Sequence, residues 1–194
     1  MLMWKITEKG WLKLKLNRPK IEILVYEIFG DAKIAYWNRF KKHHYLNEDL
    51  NKASRCWVAE MNGELVGFNS VLALPSGTLK NAYREHRLVV LADFQGMGIG
   101  TNLSECIGEI MLSEGKRFYS KTVNPKLGEY RNRSSKCRPT SKNGKRRPDI
   151  LKKKHNHNNL TNPKLSMRLR YSHEYQGDKI NENLIKVSAQ PSIK

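Results

Sequence analysis

The chain has 194 residues, 36 Lys+Arg against 18 Asp+Glu, and 39% hydrophobic residues. This is enough for one domain with a real core plus a polar extension, and too little for two large domains. No apolar stretch approaches the roughly 20 residues of a membrane span, and Lys5, Glu8 and Lys9 interrupt the first residues where a leader would need an apolar run. Cys56, Cys106 and Cys137 are odd in number and widely spaced, which argues against a disulfide framework or a zinc knuckle, so a soluble, cytoplasmic protein is expected. The net charge of +18 is unevenly placed: residues 1–115 carry +2, residues 116–170 carry +16 and residues 171–194 carry 0. Such a field attracts polyanions and disfavours polyamines and aminoglycosides as substrates.

In chain order, WLKLKLNRPKIEILVYEI from Trp11 to Ile28 alternates apolar and charged residues around Asn17-Arg18-Pro19, which predicts strand, turn, strand. Asp31 is placed to cap a helix over AKIAYWNRFKKHHY, with Ile34, Trp37, Phe40 and His44 at helical steps. A short helix is expected over NEDLNKAS from Asn47. Two antiparallel strands, CWVAEM and ELVGFNSVLAL, follow around the Asn62-Gly63 hairpin signal. HRLVVLADF from His86 reads as a central strand, Thr101 to Glu114 as an amphipathic helix, FYSKTV as a strand and the stretch from Pro125 as a weak helix. From Arg131 to Asn162 apolar periodicity is lost and a long basic loop is expected; KLSMRLRYSHEY supplies a last strand.

The segment RLVVLADFQGMGIGTNLSECIGEIM joins a buried strand, a turn with glycines at 96, 98 and 100, and a helix. Glycines let the backbone approach a ligand, and a helix N-terminus adds free N–H groups and a positive dipole, so this is an anion site. A P-loop would need Gly-Lys-Ser/Thr and a dinucleotide fingerprint G-x-G-x-x-G; neither is present. Gln95-Gly96-Met97-Gly98-Ile99-Gly100 resembles the Q/R-x-x-G-x-G/A motif of the GNAT acetyltransferase superfamily, and the order of elements from about Ile21 to Val123 is similar too. The resemblance extends to a subgroup pattern W-x-x-F-x-x-H-H-Y-L, here Trp37, Phe40, His43, His44, Tyr45 and Leu46.

That resemblance implies a mixed α/β fold, a central sheet flanked by helices with a basic, loop-rich C-terminal part. With the composition of the rest of the chain, an N-terminal strand or extension is expected at 1–19, the acetyltransferase domain at 20–176 with a basic, flexible insertion at 131–162, and a frayed tail at 177–194. The resemblance implies acetyl-CoA as co-substrate and direct transfer of acetyl to an amino group. The backbones of Leu88 and Val90 would pair with the pantetheine arm, and Gln95, Gly96, Met97, Gly98, Ile99, Gly100 and Thr101 would hold the pyrophosphate. Asn124 is either a group near the cofactor thiol or a helix cap before Pro125. Tyr130 either protonates the leaving thiolate or packs, its spacing from Asn124 being about one residue shorter than usual. Glu85 and His86 are candidates for the general base, on opposite faces of their strand, against a solvated strand end for Glu85. His43, His44 and Tyr45 lie where the family shapes the acceptor pocket, with His44 also a candidate base; the alternative is stabilisation of a helix C-terminus. Cys106 reads as a small core residue rather than a nucleophile. His155 and His157 lack accompanying ligands, so no metal site is expected. The alternative to a simple acetyltransferase is a nucleic-acid-binding or base-modifying relative in which Lys142, Lys145, Arg146, Arg147, Lys152, Lys153 and Lys154 neutralise phosphates.

Overall fold

The computed structural model describes residues 2–7, 10–15, 22–44, 49–146 and 169–177. Strands β1 (Leu2–Thr7) and β2 (Gly10–Lys15) form a separate two-stranded antiparallel sheet, with Leu2 opposite Lys15 and Thr7 opposite Gly10. This changes the expected strand-turn-strand unit. Trp11 does lie in a strand, but that strand pairs backwards with β1, while β3 (Leu24–Ile28) belongs to the main sheet. The shorter loop closes first in sequence and has the lower closure cost.

Helix α1 (Ala32–Phe40) continues as a single 3-10 turn at Lys41–His43, so the expected helix ends one turn earlier than its pattern suggests. Asp31 stands at its N-cap but makes no side-chain capping bond. The helix expected over NEDLNKAS is absent from its described part, residues 49–54. Asn51 Oδ1 accepts from the Ala53 amide at 2.9 Å, and the Ser54 hydroxyl donates to the Asn51 carbonyl at 2.6 Å. These side-chain bonds hold a turn in competition with the helix.

The main sheet continues with β4 (Arg55–Met61), β5 (Glu64–Ala73), β6 (Ala82–Val90), β7 (Arg117–Thr122), β8 (Cys137–Pro139) and β9 (Tyr171–Tyr175). Its order is β3-β4-β5-β6-β7-β9-β8, with β6 in the middle, as the apolar run Leu88–Leu91 predicted. The β4–β5 hairpin turns on Asn62 and Gly63, both at positive φ (52° and 80°), the primed turn that matches strand twist. β8 falls within the segment expected to be a loop. It is a three-residue edge strand with two exposed positions, and such a strand needs no apolar pattern.

Two helices, α2 (Ile99–Ser113) and α3 (Pro125–Arg133), cover one face of this sheet. Leu103, Ile107 and Met111 of α2 pack with Trp57, Ala59, Val66, Phe118 and Tyr175. On the other face Trp37 and Phe40 of α1 pack on Phe68, with ring centroids 5.1 and 5.7 Å apart, together with Cys56, Val58 and Val89. Each fully buried aliphatic or aromatic side chain here stabilises by roughly 1.5–3 kcal/mol.

Strand β9 reaches both helices through two tyrosines that sit over glycines. A Cβ on Gly128 of α3 would lie 2.0 Å from the Tyr171 ring, and one on Gly108 of α2 would lie 2.5 Å from the Tyr175 ring. Gly128→Ala should therefore destabilise the fold, because an overpacking cost of about 1–3 kcal/mol outweighs the roughly 1 kcal/mol that Ala gains over Gly in a helix. A lowered urea midpoint checks this; a raised one would mean that Tyr171 moves aside freely.

Candidate active site

The site begins where the sheet stops being a sheet. β6 and β7 run parallel but pair only from Ala82 opposite Arg117 to Arg84 opposite Tyr119. β6 then continues to Val90 and β7 to Thr122 without further pairing between them, so a split opens in the middle of the sheet. The Leu91 amide donates to the Val66 carbonyl on the β5 side. By the two-residue period of a strand, Val89 faces β5 as well, and the backbone groups of Leu88 and Val90 face the split. The Val90 carbonyl there already accepts from Gln95 Nε2 at 2.9 Å. Gln95 thus ties the motif turn to the strand end with its side chain.

From Gln95 the chain turns through Gly96 and Gly98, at φ +84° and +85°, and enters α2 at Ile99. The Gly98 carbonyl accepts from Thr101 Oγ1 at 2.7 Å, from Asn102 Nδ2 at 3.0 Å and from the Asn102 amide at 3.1 Å. These contacts fix the turn while consuming one acceptor only. The amides from Gly98 to Thr101 have no acceptor among the described residues, and they lie at the positive end of a 15-residue helix. Gly100 lets α2 sit close on β6, since a Cβ there would be 3.3 Å from Val90 Cγ2. Met97 is exposed at the outside of the turn. A cleft of about 420 Å³ beside it is bounded by Ile23, Val25, Met97, Ile99, Asn102, Leu103 and Cys106. Burial, with a smaller contribution from Glu109, pushes the Cys106 thiol pKa up, so it stays a protonated wall residue.

Glu85 and His86 occupy opposite faces, as strand alternation predicted, but a bulge alters the register beyond them. Ser70 pairs with Arg87 and Val71 with Glu85, leaving His86 as the extra residue. Glu85 consequently shares the α2 face with Leu88 and Val90, an odd three-residue step. Its carboxylate is not free. It accepts from Asn69 Nδ2 at 3.1 Å, from Ser104 Oγ at 2.8 Å and from Arg131 Nη2 at 2.8 Å, and the side chains of Glu85 and Arg131 are only 7% and 4% exposed. This network ties β5, β6, α2 and α3 together beside the split, and it replaces the solvated strand end considered for Glu85. Arg131 carried no signal in the sequence, being one of 18 cations between 116 and 170.

His86 lies on the α1 face. Burial first, then the charges of Arg87, Arg84 and His44, lower its pKa to about 4, and its Nε2 is buried without a hydrogen-bond partner among the described residues. The unfolded imidazole titrates near 6.5. The folded pKa is the lower one, so His86 contributes stability in full above about pH 6.5 and loses it as pH falls towards 4. His86→Gln is accordingly expected to show a smaller drop in urea midpoint between pH 7.5 and pH 5 than the parent; equal drops would assign the acid sensitivity elsewhere.

Asn124 caps α3, its Oδ1 accepting from the Leu127 amide at 3.3 Å, which leaves its Nδ2 donor for another role. The Tyr130 hydroxyl donates to Glu105 Oε1 of α2 at 2.7 Å; this bond, then burial, push its pKa up to about 12, so it is protonated at neutral pH. Glu105 is a second partner that the sequence did not single out. His43 ends the 3-10 turn in solvent, and His44 follows with its ring 6.0 Å from that of Trp37. Lys142, Lys145 and Arg146 are exposed beyond β8. Tyr45, Arg147, Lys152, Lys153, Lys154, His155 and His157 lie outside the described residues.

A family model described as the acetyltransferase (GNAT) family matches residues 23–128, more than half of the chain. The chain belongs to the GNAT acetyltransferase family. No curated protein sequence matches it significantly. Among solved structures, the ribosomal-protein-S18-alanine N-acetyltransferase from Escherichia coli superposes with a TM-score of 0.53 at 11% identity, covering 84% of this chain and 99% of that one. An acetyltransferase from Bacillus subtilis in complex with CoA gives 0.51 at 16% identity, covering 81% and 99%. These likenesses concern the fold. In the GNAT frame, the split between β6 and β7 and the turn at Gly96–Thr101 form one continuous feature, in which a strand edge and a cluster of amides both lack partners among the described residues. Such a feature suits a long ligand with an anionic middle: strand-like pairing along the arm, and N–H donors at a diphosphate. No helix among the described residues is long and apolar enough to cross a membrane.

Proposed function

We propose that this GNAT acetyltransferase moves the acetyl group of acetyl-CoA directly onto an amino nitrogen of a second substrate, which enters from the α1 face of the sheet. The observation that carries this reading is the split itself. It leaves the backbone of Leu88 and the Val90 amide facing an edge with no strand partner among the described residues, and it opens beside amides at a helix N-terminus that have no acceptor there. In this reading the turn from Gln95 to Thr101 binds the diphosphate, and the thioester lies at the split, where the two faces of the sheet meet.

The transfer breaks the C–S bond and forms a C–N bond; the amine loses a proton and the thiolate gains one. Holding both reactants in one geometry supplies much of the rate, because the amine needs no covalent enzyme intermediate. On the α1 face His86 is a neutral acceptor near the bulge, with His44 close by, and these are the groups to receive the amine proton, directly or through water. On the α2 face Tyr130 keeps its proton at neutral pH, and its hydroxyl donates to Glu105; to serve the leaving thiolate it turns that one proton away from Glu105. Glu85 is a positioning residue in this scheme: with Arg131, Asn69 and Ser104 it holds β6 against α2 and α3. Asn124 contributes its cap and its remaining amide donor.

The test is calorimetric titration of acetyl-CoA into the full chain, followed by release of free CoA thiol in the presence of amine pools. Saturable binding with amine-dependent thiol release supports the proposal. A folded protein that fails to bind acetyl-CoA would overturn it.

A further inference from the structure

Helix α1 covers only part of its face of the sheet, packing on β4, β5 and the β6 residue Val89. Further along the same face β7, β9 and β8 present their outward side chains. Phe118, Tyr175 and Cys137 point to the α2 side. The alternating positions therefore point the other way: Tyr119 opposite Glu174, Lys121 opposite Ser172, and Arg138 opposite Glu174. Arg84, the last β6 residue paired to β7, lies between Tyr83 and Glu85 of the α2 side and so joins them. Together with Leu74 and Leu79 from the β5–β6 loop and Pro139, these residues enclose a pocket of about 460 Å³ at the start of the split.

Among the described residues Glu174 is the one carboxylate lining this pocket, and how it is spent decides the pocket's charge. Glu174 accepts from Arg117 Nε at 2.7 Å, from the Tyr119 hydroxyl at 3.0 Å and from Arg138 Nη2 at 2.5 Å. Burial pushes its pKa up, but the bonds from Arg138, Arg117 and Tyr119 more than offset this and leave it lowered. The carboxylate is therefore ionised, satisfied and neutralised by Arg117 and Arg138. Arg84 has no anionic partner among the described residues, and Lys142 is exposed at the rim. The pocket is thus net positive, with an apolar wall and a size suited to a small molecule.

Resting on the acetyltransferase reading above, we infer that this pocket is the acceptor site and that the acceptor is a small primary amine bearing an anionic oxygen group, a carboxylate or a phosphate, on a short apolar body. Arg84 and Lys142 bind that group. The same cations disfavour an ammonium in the pocket and so help present the amine in its neutral, nucleophilic form. A polycationic acceptor meets repulsion at the same place.

The experiment uses the full chain and two matched pairs of amines, 4-aminobutyrate with butylamine and phosphoethanolamine with ethanolamine. With acetyl-CoA present, kcat/KM from thiol release should favour the anionic member of at least one pair by roughly tenfold or more, the scale of one hydrogen bond to a charged group. The pair that shows this distinguishes carboxylate from phosphate. Arg84→Gln should remove the preference while leaving acetyl-CoA affinity unchanged. Equal use of both members in both pairs, or an equal loss for both members in Arg84→Gln, would overturn the inference while leaving the acetyltransferase reading intact. Failure of acetyl-CoA to bind would count against that reading instead. The pocket is then judged by NMR titration of the same amines without acetyl-CoA: binding of an anionic amine that weakens about tenfold in Arg84→Gln supports it, and no binding or unaltered binding rejects it.

Discussion

Gly98→Glu is expected to lower acetyl-CoA affinity by at least about a hundredfold and to abolish thiol release, while leaving a folded protein. Gly98 stands at φ +85°, where an L-residue costs about 1–2 kcal/mol. A Cβ at this position would itself meet nothing closer than Asn102 Nδ2 at 3.5 Å, so bulk alone does not break the turn. The carboxylate decides the outcome, and it acts oppositely on fold and function. Next to the N-terminus of α2 a negative charge is favourable by about 0.3–1 kcal/mol, which offsets part of the backbone strain. The same charge occupies the amides from Gly98 to Thr101 that the proposed diphosphate site uses, and it repels a diphosphate directly. Gly98→Ala, which brings the strain without the charge, should lose much less affinity. Calorimetric titration of both variants checks this. If the Glu variant bound as tightly as the parent, the turn would not be the diphosphate site.

Arg131→Met should cost about 3–5 kcal/mol of stability, because it removes the cation from a carboxylate that is 7% exposed and cannot be hydrated in place. Glu85 would keep its bonds from Asn69 and Ser104 but hold an uncompensated charge among β5, β6, α2 and α3. Combining Arg131→Met with Glu85→Gln should recover a substantial part of the loss, since the amide oxygen can still accept from Asn69 and Ser104 and no buried charge remains. Urea midpoints of the single and double variants measure the coupling. Strict additivity of the two losses would show that the pair is not coupled and that each residue acts through other contacts. Activity in the double variant then separates support from chemistry: retained kcat with a changed KM is the signature of a positioning role, whereas a loss confined to kcat would place Glu85 in proton transfer.

The sequence by itself determined the parts whose causes are close together in the chain. The apolar run Leu88–Leu91, the glycines of Gln95–Gly100 and the amphipathic face of α2 are adjacent, and together they specify a strand, a tight turn and a helix N-terminus, the elements on which the proposed diphosphate site is built. Asn62-Gly63 likewise determined a hairpin because both residues tolerate positive φ. Competing local bonds defeated the pattern at Asn51, and an edge position removed the need for one at Cys137–Pro139. What only the tertiary structure decided depends on residues far apart. The bulge between β5 and β6 turned Glu85 to the face of Leu88 and Val90, and the fold brought Arg131, 46 residues away, to its carboxylate as a buried ion-pair partner. The 25-residue span from Glu105 gave the Tyr130 hydroxyl its partner. The charge of the pocket beside the split followed from Arg117 and Arg138 converging on Glu174 across three strands. Local propensity acts over a few residues and so can be read along the chain; the protonation and partners of a buried polar group are set by whatever the fold brings within about 3 Å of it.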